Sequence, residues 1–236
     1  MNIVIPMAGI GSRFTAAGYT FPKPLIDVNG KPMIHVVVDN LDIDCHYIFV
    51  VQKEHQKTYD VRSMLDQIVP GCTVIEIDGV TEGACCTVLK AVDLIDNHWP
   101  LMIANSDQWM DWDSSGFLHE MYGPGIAGGI CTFENTHPKW SYAKVNTDGF
   151  ITEVAEKRVI SNRATCGVYY WAQGSDFVSS ANKMIRKDIR TNDEFYLCPV
   201  FNEAIADGMK IKEHPVKGMH GLGTPEDLDY YLRERG

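Results

Sequence analysis

The sequence predicts an α/β fold: a Rossmann-like, mixed but mainly parallel central sheet flanked by helices, with a smaller lid formed by the second half of the chain. Short β-branched apolar runs alternate with amphipathic segments in the first half, which is typical of βαβ units. After about residue 125 the pattern changes to closely spaced strands separated by Gly, Asp and Pro turns. The 236 residues are enough to bury one large core.

Four apolar runs in the first half have the length and composition of buried parallel strands. Amphipathic helices are expected between them, and Pro32 suits the start of the first because a helix leaves its first N–H groups unpaired anyway. The predicted strands cover residues 2–7, 46–51, 72–77 and 101–104, and the predicted helices cover 32–41, 54–68 and 82–95.

The second half is expected to extend the same sheet, because no linker, repeat or low-complexity tract separates it from the first. We therefore expect one domain over residues 1–236, with halves at about 1–125 and 126–236. Thr224 is the expected N-cap of the closing helix. The predicted strands cover 126–133, 142–145, 150–154, 165–171 and 210–216, and the predicted helices cover 175–187, 194–207 and 225–233.

Composition narrows the class of protein. A formal net charge of −10 argues against a nucleic-acid partner or an anionic membrane surface. No apolar run approaches the roughly 20 residues of a membrane-spanning helix. The seven cysteines lack a C-x-x-C pair, which favours reduced thiols, and the eight histidines show no zinc-ligand spacing. We expect a soluble, cytoplasmic protein and leave a homo-oligomer open.

The loop after the first strand has the composition of a phosphate site. Gly9 and Gly11 let the backbone approach a polyphosphate closely and direct several N–H groups at its oxygens. Arg13 adds a forked cationic donor, and Lys23 adds a point charge between two prolines. A tight turn with two surface charges would also account for these residues, but their conjunction favours a phosphate cradle.

Two other phosphate motifs do not fit this loop. A dinucleotide fingerprint needs Gly or Ala where Phe14 stands. A P-loop needs Ser or Thr after Gly-Lys, whereas Pro32 follows Lys31.

A second candidate loop begins with Asp107, directly after the fourth strand. Ligands bind beyond the carboxyl ends of strands in open α/β sheets. Mg²⁺ uses one or two carboxylates together with substrate phosphates and water, so Asp107 is a candidate ligand. A turn or helix-cap role is its alternative. Asp111 and Asp113 nearby are expected to be solvated turn residues.

These residues resemble the sugar-phosphate nucleotidyltransferase family, whose pattern is a small-residue Gly-x-Gly-x-Arg loop followed by Lys-Pro. The resemblance covers essentially the whole chain. It includes residues 3–24, 82–84, Asp107, 156–157 with 162–169, and the Gly-Thr-Pro-Glu-Asp segment at 223–227.

Carried over residue by residue, the resemblance implies a catalytic set of Arg13, Lys23 and Asp107, with Asp107 holding Mg²⁺. Lys23 would neutralise both the α-phosphate and the incoming phosphate. The implied nucleotide-binding residues are Ala8, Gly9, Gly11, Ser12, Arg13, Glu82, Gly83 and Ala84, and the implied acceptor-binding residues are Lys23, Glu156, Lys157 and Gly167.

The sequence departs from the family pattern at one position. The family carries a second metal-binding aspartate two residues before Gly-Thr, whereas this chain has Gly221, preceded by His220. Either Asp107 holds the metal with phosphates and water alone, or His220 or another carboxylate takes that place.

The resemblance implies transfer of a nucleoside monophosphate from a triphosphate to a sugar 1-phosphate. Attack of one phosphate on another needs positioning and charge neutralisation rather than an acid or base catalyst. A cytidylyltransferase for a phosphorylated non-sugar alcohol is a close alternative. The Asp-x-Asp of 111–113 also suits a nucleotide-sugar-dependent glycosyltransferase, and Gly221 suits a binding module without chemistry.

Overall fold

The computed structural model describes residues 1–235; Gly236, the last residue of the expected domain, lies outside them. The described part contains thirteen strands. In chain order they are β1 (Asn2–Pro6), β2 (Asp27–Val28), β3 (Lys31–Pro32), β4 (His46–Gln52), β5 (Thr73–Ile77), β6 (Leu101–Ala104), β7 (Gln108–Asp111), β8 (Gly128–Glu134), β9 (Tyr142–Val145), β10 (Ile151–Ala155), β11 (Arg163–Trp171), β12 (Ile211–Pro215) and β13 (Gly218–Gly221).

Nine of these strands form one mixed sheet in which β10, β9, β11, β6, β1, β4 and β5 are neighbours and β8 joins β11 to β12. The first-half strands β6, β1, β4 and β5 are parallel, with Val4 between Ile48 and Ile103. β11 runs antiparallel to β6 and carries the second half into the same sheet. The predicted mixed α/β sheet is therefore confirmed.

Helices cover the sheet, and none within residues 1–235 has the length and apolar character needed to cross a bilayer. All seven cysteines are free. In chain order the helices are α1 (Ser12–Ala16), α2 (Met33–Leu41), α3 (Lys53–Tyr59), α4 (Val61–Ile68), α5 (Ala84–Val88), α6 (Val92–Ile95), α7 (Ser114–Met121), α8 (Gly174–Arg186), α9 (Val200–Ala206) and α10 (Pro225–Arg235).

Two predicted helices are divided where the backbone changes direction. The helix expected over 54–68 is interrupted at Asp60, whose φ of 47° lies in the left-handed region. The helix expected over 82–95 begins only after Gly83, at φ 132°, and contains a 3-10 turn between α5 and α6. Both prediction errors are local, because the helical spacing of apolar side chains continues through positions where the backbone itself leaves the helix.

A third helix, expected over 194–207, is helical only in α9. The backbone N–H of Phe195 donates instead to the carbonyl of Glu82 at 2.8 Å, and Pro199 stands at the N-cap of α9. The short α1 and α7 and the antiparallel pair β7–β13 were not predicted, since such short elements show little periodicity.

Side chains of the sheet enter two hydrophobic cores on its opposite faces, one centred on Trp171 and Phe201 and the other on Phe49 and Tyr170. A third, smaller cluster surrounds Phe14 between α1, α2 and α10. This cluster attaches the loop after β1 to the C-terminal helix, so these two segments meet beside the carboxyl ends of β1 and β6.

Candidate functional site

The loop after β1 lines a cavity of about 440 Å³, named here the glycine-loop cavity. All the residues predicted for the nucleotide side line it except Glu82. The predicted residues in its lining are Ala8, Gly9, Gly11, Ser12, Arg13, Lys23, Gly83, Ala84 and Asp107.

The glycine loop is held in place from several sides. Gly11 has a φ of 66° and caps α1, and a Cβ there would lie 3.1 Å from the Cβ of Lys23. The side-chain amide of Gln52 donates to the carbonyl of Ala8 at 2.8 Å, and Phe14 is buried. Within the described chain, the backbone N–H groups of residues 8–11 have no protein acceptor. They are therefore available to an anion.

Lys23 and Asp107 approach each other across the cavity. Lys23 lies in a 3-10 turn between two prolines, and its Nζ donates to Oδ2 of Asp107 at 2.8 Å. Asp107 follows β6, which is paired with β1, so the sheet itself brings the two loops together. The side chains are 21% and 22% exposed, so both remain accessible from the cavity.

The C-terminal segment closes one side of Asp107. The N–H of Leu222 donates to the carbonyl of Asp107 at 2.8 Å. A Cβ on Gly223 would lie 2.7 Å from Oδ2 of Asp107, so a side chain there would displace the carboxylate. Thr224 caps α10 by accepting from the N–H of Asp227 at 3.1 Å, as predicted. The Gly-Thr-Pro-Glu-Asp segment therefore lies at the site.

A second cavity of about 360 Å³ adjoins the first and is named the second-half cavity. The predicted residues Glu156, Lys157 and Gly167 line it, whereas Lys23 lines only the glycine-loop cavity. The residues that line both cavities are Arg13, Ala84, Asn105, Asp107, Tyr196 and Gly223.

Glu156 and Lys157 follow β10 and point their functional groups to different partners. The hydroxyl of Ser141 donates to the carboxylate of Glu156, and burial raises the pKa of Glu156. Lys157 has a left-handed φ of 51°, uncommon for a residue with a side chain. Its Nζ bonds the hydroxyl of Tyr196 and lies 4.5 Å from the centroid of that ring. This places a cation beside the junction of the cavities.

Gly167 lies in a β-bulge of β11. The register between β11 and β8 shifts between Thr165 and Tyr169, and Gly167 inside this stretch has a φ of 79°. A Cβ on Gly167 would lie 2.4 Å from the side-chain nitrogen of Asn105. The carbonyl of Gly167 accepts from the N–H of Asn105 at 2.9 Å. The bulge thus docks the second half onto the loop that carries Asp107.

The predicted base-contacting segment is only partly in the cavity. Gly83 and Ala84 line the glycine-loop cavity, and a Cβ on Gly83 would lie 2.5 Å from the carbonyl oxygen of Phe195. Glu82 lies outside the lining, is 67% exposed, and pairs with Arg190 at 2.6 Å. Its visible role is to attach this segment to the 188–196 connection.

Position 221 carries no carboxylate, and His220 does not replace one. His220 packs against Trp109, Tyr230 and Tyr231, and burial lowers its pKa. It is not among the residues that line the second-half cavity. Within residues 1–235 no group of three or more His, Cys, Asp or Glu side chains is arranged to hold a metal ion.

A third cavity, of about 580 Å³, lies elsewhere, between α2 and β7. Asp111 and Asp113 line it, and Asp113 caps α7 by accepting from the N–H of Gly116 at 3.0 Å. Four aspartates and a single lysine line this cavity, which disfavours a phosphate ligand. The glycine loop, Arg13 and Lys23 lie instead at the two joined cavities.

The joined cavities contain residues that the sequence did not assign to the site. Asn105, Ser141, Trp140 and Gln108 line the second-half cavity, and Tyr196 reaches both cavities. Asn105 and Gln108 flank Asp107 in the sequence, and Tyr196 could either line a pocket or pack in the core on sequence grounds. The others come from separate connections whose meeting depends on the sheet order.

The sheet, the glycine loop and the two joined cavities define an α/β protein whose candidate site lies at the carboxyl ends of β1 and β6. Residues 3–229 match the family model described as Nucleotidyl transferase. The chain belongs to this family.

Two curated relatives and one solved structure are similar to the chain. The bifunctional protein GlmU of Methanocaldococcus jannaschii is 24% identical over 97% of this chain and 52% of its own length. The 2-aminoethylphosphonate cytidylyltransferase of Lancefieldella rimae is 50% identical over 40 residues, 17% of this chain and 16% of the relative. The chain thus spans about half the length of the first relative and less of the second.

The solved nucleoside-diphosphate-sugar pyrophosphorylase of Vibrio cholerae superposes with a TM-score of 0.84 at 23% identity, covering 98% of this chain and 99% of that one. At this identity the likeness concerns the fold, and it agrees with the mixed sheet described above.

Proposed function

We propose that this protein is a magnesium-dependent nucleotidyltransferase that transfers a nucleoside monophosphate from a nucleoside triphosphate to a sugar 1-phosphate. The observation that carries the proposal is the junction of the two cavities at Asp107, with Lys23 2.8 Å from its carboxylate. A triphosphate in the glycine-loop cavity and an acceptor phosphate in the second-half cavity would meet at this point. Membership of the nucleotidyl transferase family supports this class of reaction.

The reaction joins two anions. An oxygen of the acceptor phosphate attacks the α-phosphorus, the new P–O bond forms while the bond to the β-phosphate breaks, and pyrophosphate leaves. An acceptor phosphate that is already ionised needs no general base, so the main barrier is charge repulsion. In this scheme Arg13 and the loop amides hold the leaving phosphates, and Lys23 neutralises the α-phosphate. Lys157 does the same for the acceptor.

The residues present fit a Mg²⁺ ion held by a single protein carboxylate. Mg²⁺ commonly keeps several waters and takes one or two carboxylates plus substrate phosphates. Asp107 is the carboxylate at the junction and is partly exposed. When bound with the triphosphate, the ion would supply charge neutralisation at the reacting phosphates. Lys23 would then exchange its contact with Asp107 for the phosphate.

Pyrophosphate release tests the proposal. Purified protein is incubated with Mg²⁺, each of the common triphosphates, and a panel of sugar 1-phosphates, with and without EDTA. We expect release only when a triphosphate and an acceptor are both present, and loss of release with EDTA. Triphosphate binding without turnover across the whole panel would instead favour a binding module.

A second candidate acceptor is a phosphorylated non-sugar molecule with cytidine triphosphate as donor. The local 50% identity to a 2-aminoethylphosphonate cytidylyltransferase supports it. The panel therefore includes 2-aminoethylphosphonate with cytidine triphosphate. Turnover of this pair above every sugar 1-phosphate would replace the leading proposal.

A further inference from the structure

The second-half cavity contains a group of residues that the proposed transfer step does not use. We name it the Gln108 recess and define it by Gln108, Trp140 and Gly221, which all line the cavity. Gln108 and Gly221 lie directly opposite each other on β7 and β13. Residues opposed in an antiparallel pair direct their side chains to the same face. Because position 221 has no side chain, Gln108 has no opposing side chain on that face.

Trp140 occupies the space beside Gly221. A Cβ at position 221 would lie 3.0 Å from Cη2 of Trp140, closer than a side chain and an indole ring normally approach. Any larger residue at 221 would displace the ring. The position of the Trp140 ring in the cavity wall therefore depends on glycine at 221.

The polar atoms of the recess have no partners. Gln108 is 2% exposed, and neither Oε1 nor Nε2 makes a hydrogen bond within the described chain. The indole Nε1 of Trp140 is likewise buried and unpaired there. Folded proteins rarely leave buried polar atoms unpaired, because each gives up its hydrogen bonds to water without replacement.

Resting on the proposed function, we infer that the Gln108 recess binds an uncharged hydrogen-bonding group of the acceptor, a hydroxyl or a carboxamide. The carboxamide of Gln108 offers one acceptor and two donor hydrogens, and the indole of Trp140 offers one donor. A hydroxyl or an amide pairs with both kinds of group once the Gln108 side chain turns toward the ligand. A carboxylate pairs with these donors but leaves Oε1 without one, and an ammonium pairs with Oε1 but leaves the indole N–H without an acceptor.

The surroundings of the recess support an uncharged ligand group. Lys139 and Asp227, which line the same cavity, pair with each other at 2.6 Å, and Lys139 also lies 4.6 Å from the centroid of the Trp140 ring. The hydroxyl of Ser141 donates to one oxygen of Glu156. Asp227 is thus already paired with a cation, and Glu156 already has one hydrogen-bond partner in the protein.

Binding of matched acceptors to the full chain with Mg²⁺ tests the inference by calorimetry. The probes are glucose 1-phosphate, 2-hydroxyethyl phosphate, phosphoglycolamide, phosphoglycolate and 2-aminoethylphosphonate, so that sugar hydroxyl, simple hydroxyl, amide, carboxylate and ammonium are compared. We expect at least one neutral probe to bind about tenfold more tightly than both charged probes. Tighter binding of either charged probe, or no binding of any neutral probe, overturns the inference.

Variants of Gln108 assign the effect to the recess. Gln108→Leu should weaken the neutral probe by about 10- to 100-fold and the charged probes by less than about threefold, since a paired polar group is lost. The melting temperature of the free protein should not fall, because no protein hydrogen bond is removed; a purely structural glutamine would lower it. Gln108→Glu should shift the preference toward 2-aminoethylphosphonate about tenfold.

Trp140→Phe has a matched control in Trp171→Phe. Both indoles have a buried, unpaired Nε1, but Trp171 lies in the core outside the cavity lining. Only Trp140→Phe should weaken neutral-probe binding; equal effects of the two variants contradict the recess. If acceptor binding follows these patterns while no pyrophosphate forms, the transfer reaction fails and the recess stands. If glucose 1-phosphate turns over equally in wild type and Gln108→Leu, the recess alone fails.

Discussion

The glycine-loop cavity and the second-half cavity share a wall at Asp107 but differ in what builds them. The first presents backbone N–H groups, and its shape depends on Gly11 and on the turn that holds Lys23. The second presents side chains from separate connections, such as Glu156 after β10 and Gly167 in the β11 bulge. A backbone site is defined by a few consecutive residues, whereas a side-chain site depends on the packing of distant elements.

Removal of the lysine or the carboxylate at the junction of the cavities should have the largest effect on turnover. Lys23→Ala and Asp107→Asn are each expected to lower kcat by about 100- to 1000-fold, the range for removing one group that stabilises transition-state charge. Lys53→Ala is the control, because Lys53 forms an exposed pair with Asp78 away from both cavities. Pyrophosphate release under saturating substrates measures the change. A loss below about tenfold for both variants would remove the junction from the mechanism.

The difference between the cavities also explains how much the sequence predicted. The glycine loop and Asp107 each follow a β-branched strand within a few residues, so strand prediction alone brought them together. Gly167 lines its cavity only because β11 bulges against Asn105, and a β-bulge leaves no periodic signal. Glu82 was placed at the nucleotide by resemblance, but its carboxylate pairs with Arg190, and no sequence pattern specifies that partner.

The same limit applies to the 194–199 segment. Its apolar residues suit a helix, but Phe195 uses its backbone to pair with Glu82 and Cys85. Tertiary hydrogen bonds of this kind override local propensity. Tyr196, which reaches both cavities, is therefore placed by a contact that lies outside any local window.

Substitution of two glycines in one loop shows whether the loop requires the backbone conformation that Gly11 adopts. Gly11→Ala should lower the free energy of unfolding by about 1–2 kcal/mol, because a side chain at its φ of 66° is strained and its Cβ would lie 3.1 Å from Lys23. Gly9→Ala should stay within about 0.5 kcal/mol of wild type, since a Cβ there meets nothing within 4 Å. Urea denaturation measures both. Equal losses would mean that the loop is not fixed by Gly11.

Asp113→Ala tests whether the Asp-x-Asp of 111–113 has any part in the chemistry. Asp113 caps α7 through Gly116, so its removal should cost about 1 kcal/mol of stability. We expect an unchanged kcat at a temperature where the variant is folded, in contrast to Asp107→Asn. Loss of metal-dependent turnover in Asp113→Ala, with stability equal to wild type, would favour the glycosyltransferase alternative.

The smallest expected effect is on the pH dependence of stability, which should differ between two nearby carboxylates, Glu156 and Glu153. Burial raises the pKa of Glu156 from its ordinary value of 4.5, so the folded state holds this proton more tightly than the unfolded chain. Wild type therefore loses stability as pH rises from about 4.5 through the folded pKa. Glu156→Gln lacks this loss, so its melting temperature relative to wild type should rise over that window and level off above it.

Glu153 on β10 provides the opposite case. Lys144 lowers its pKa by hydrogen bonding, so its stabilising effect is present above the unfolded value and is lost as pH falls. Glu153→Gln should therefore match wild type at low pH and melt slightly below it at neutral pH. Because Glu153 is paired with Lys144 and Glu156 lines the second-half cavity, the two curves should have opposite slopes between pH 4 and 8. Parallel slopes would show that burial in that cavity does not raise the pKa of Glu156.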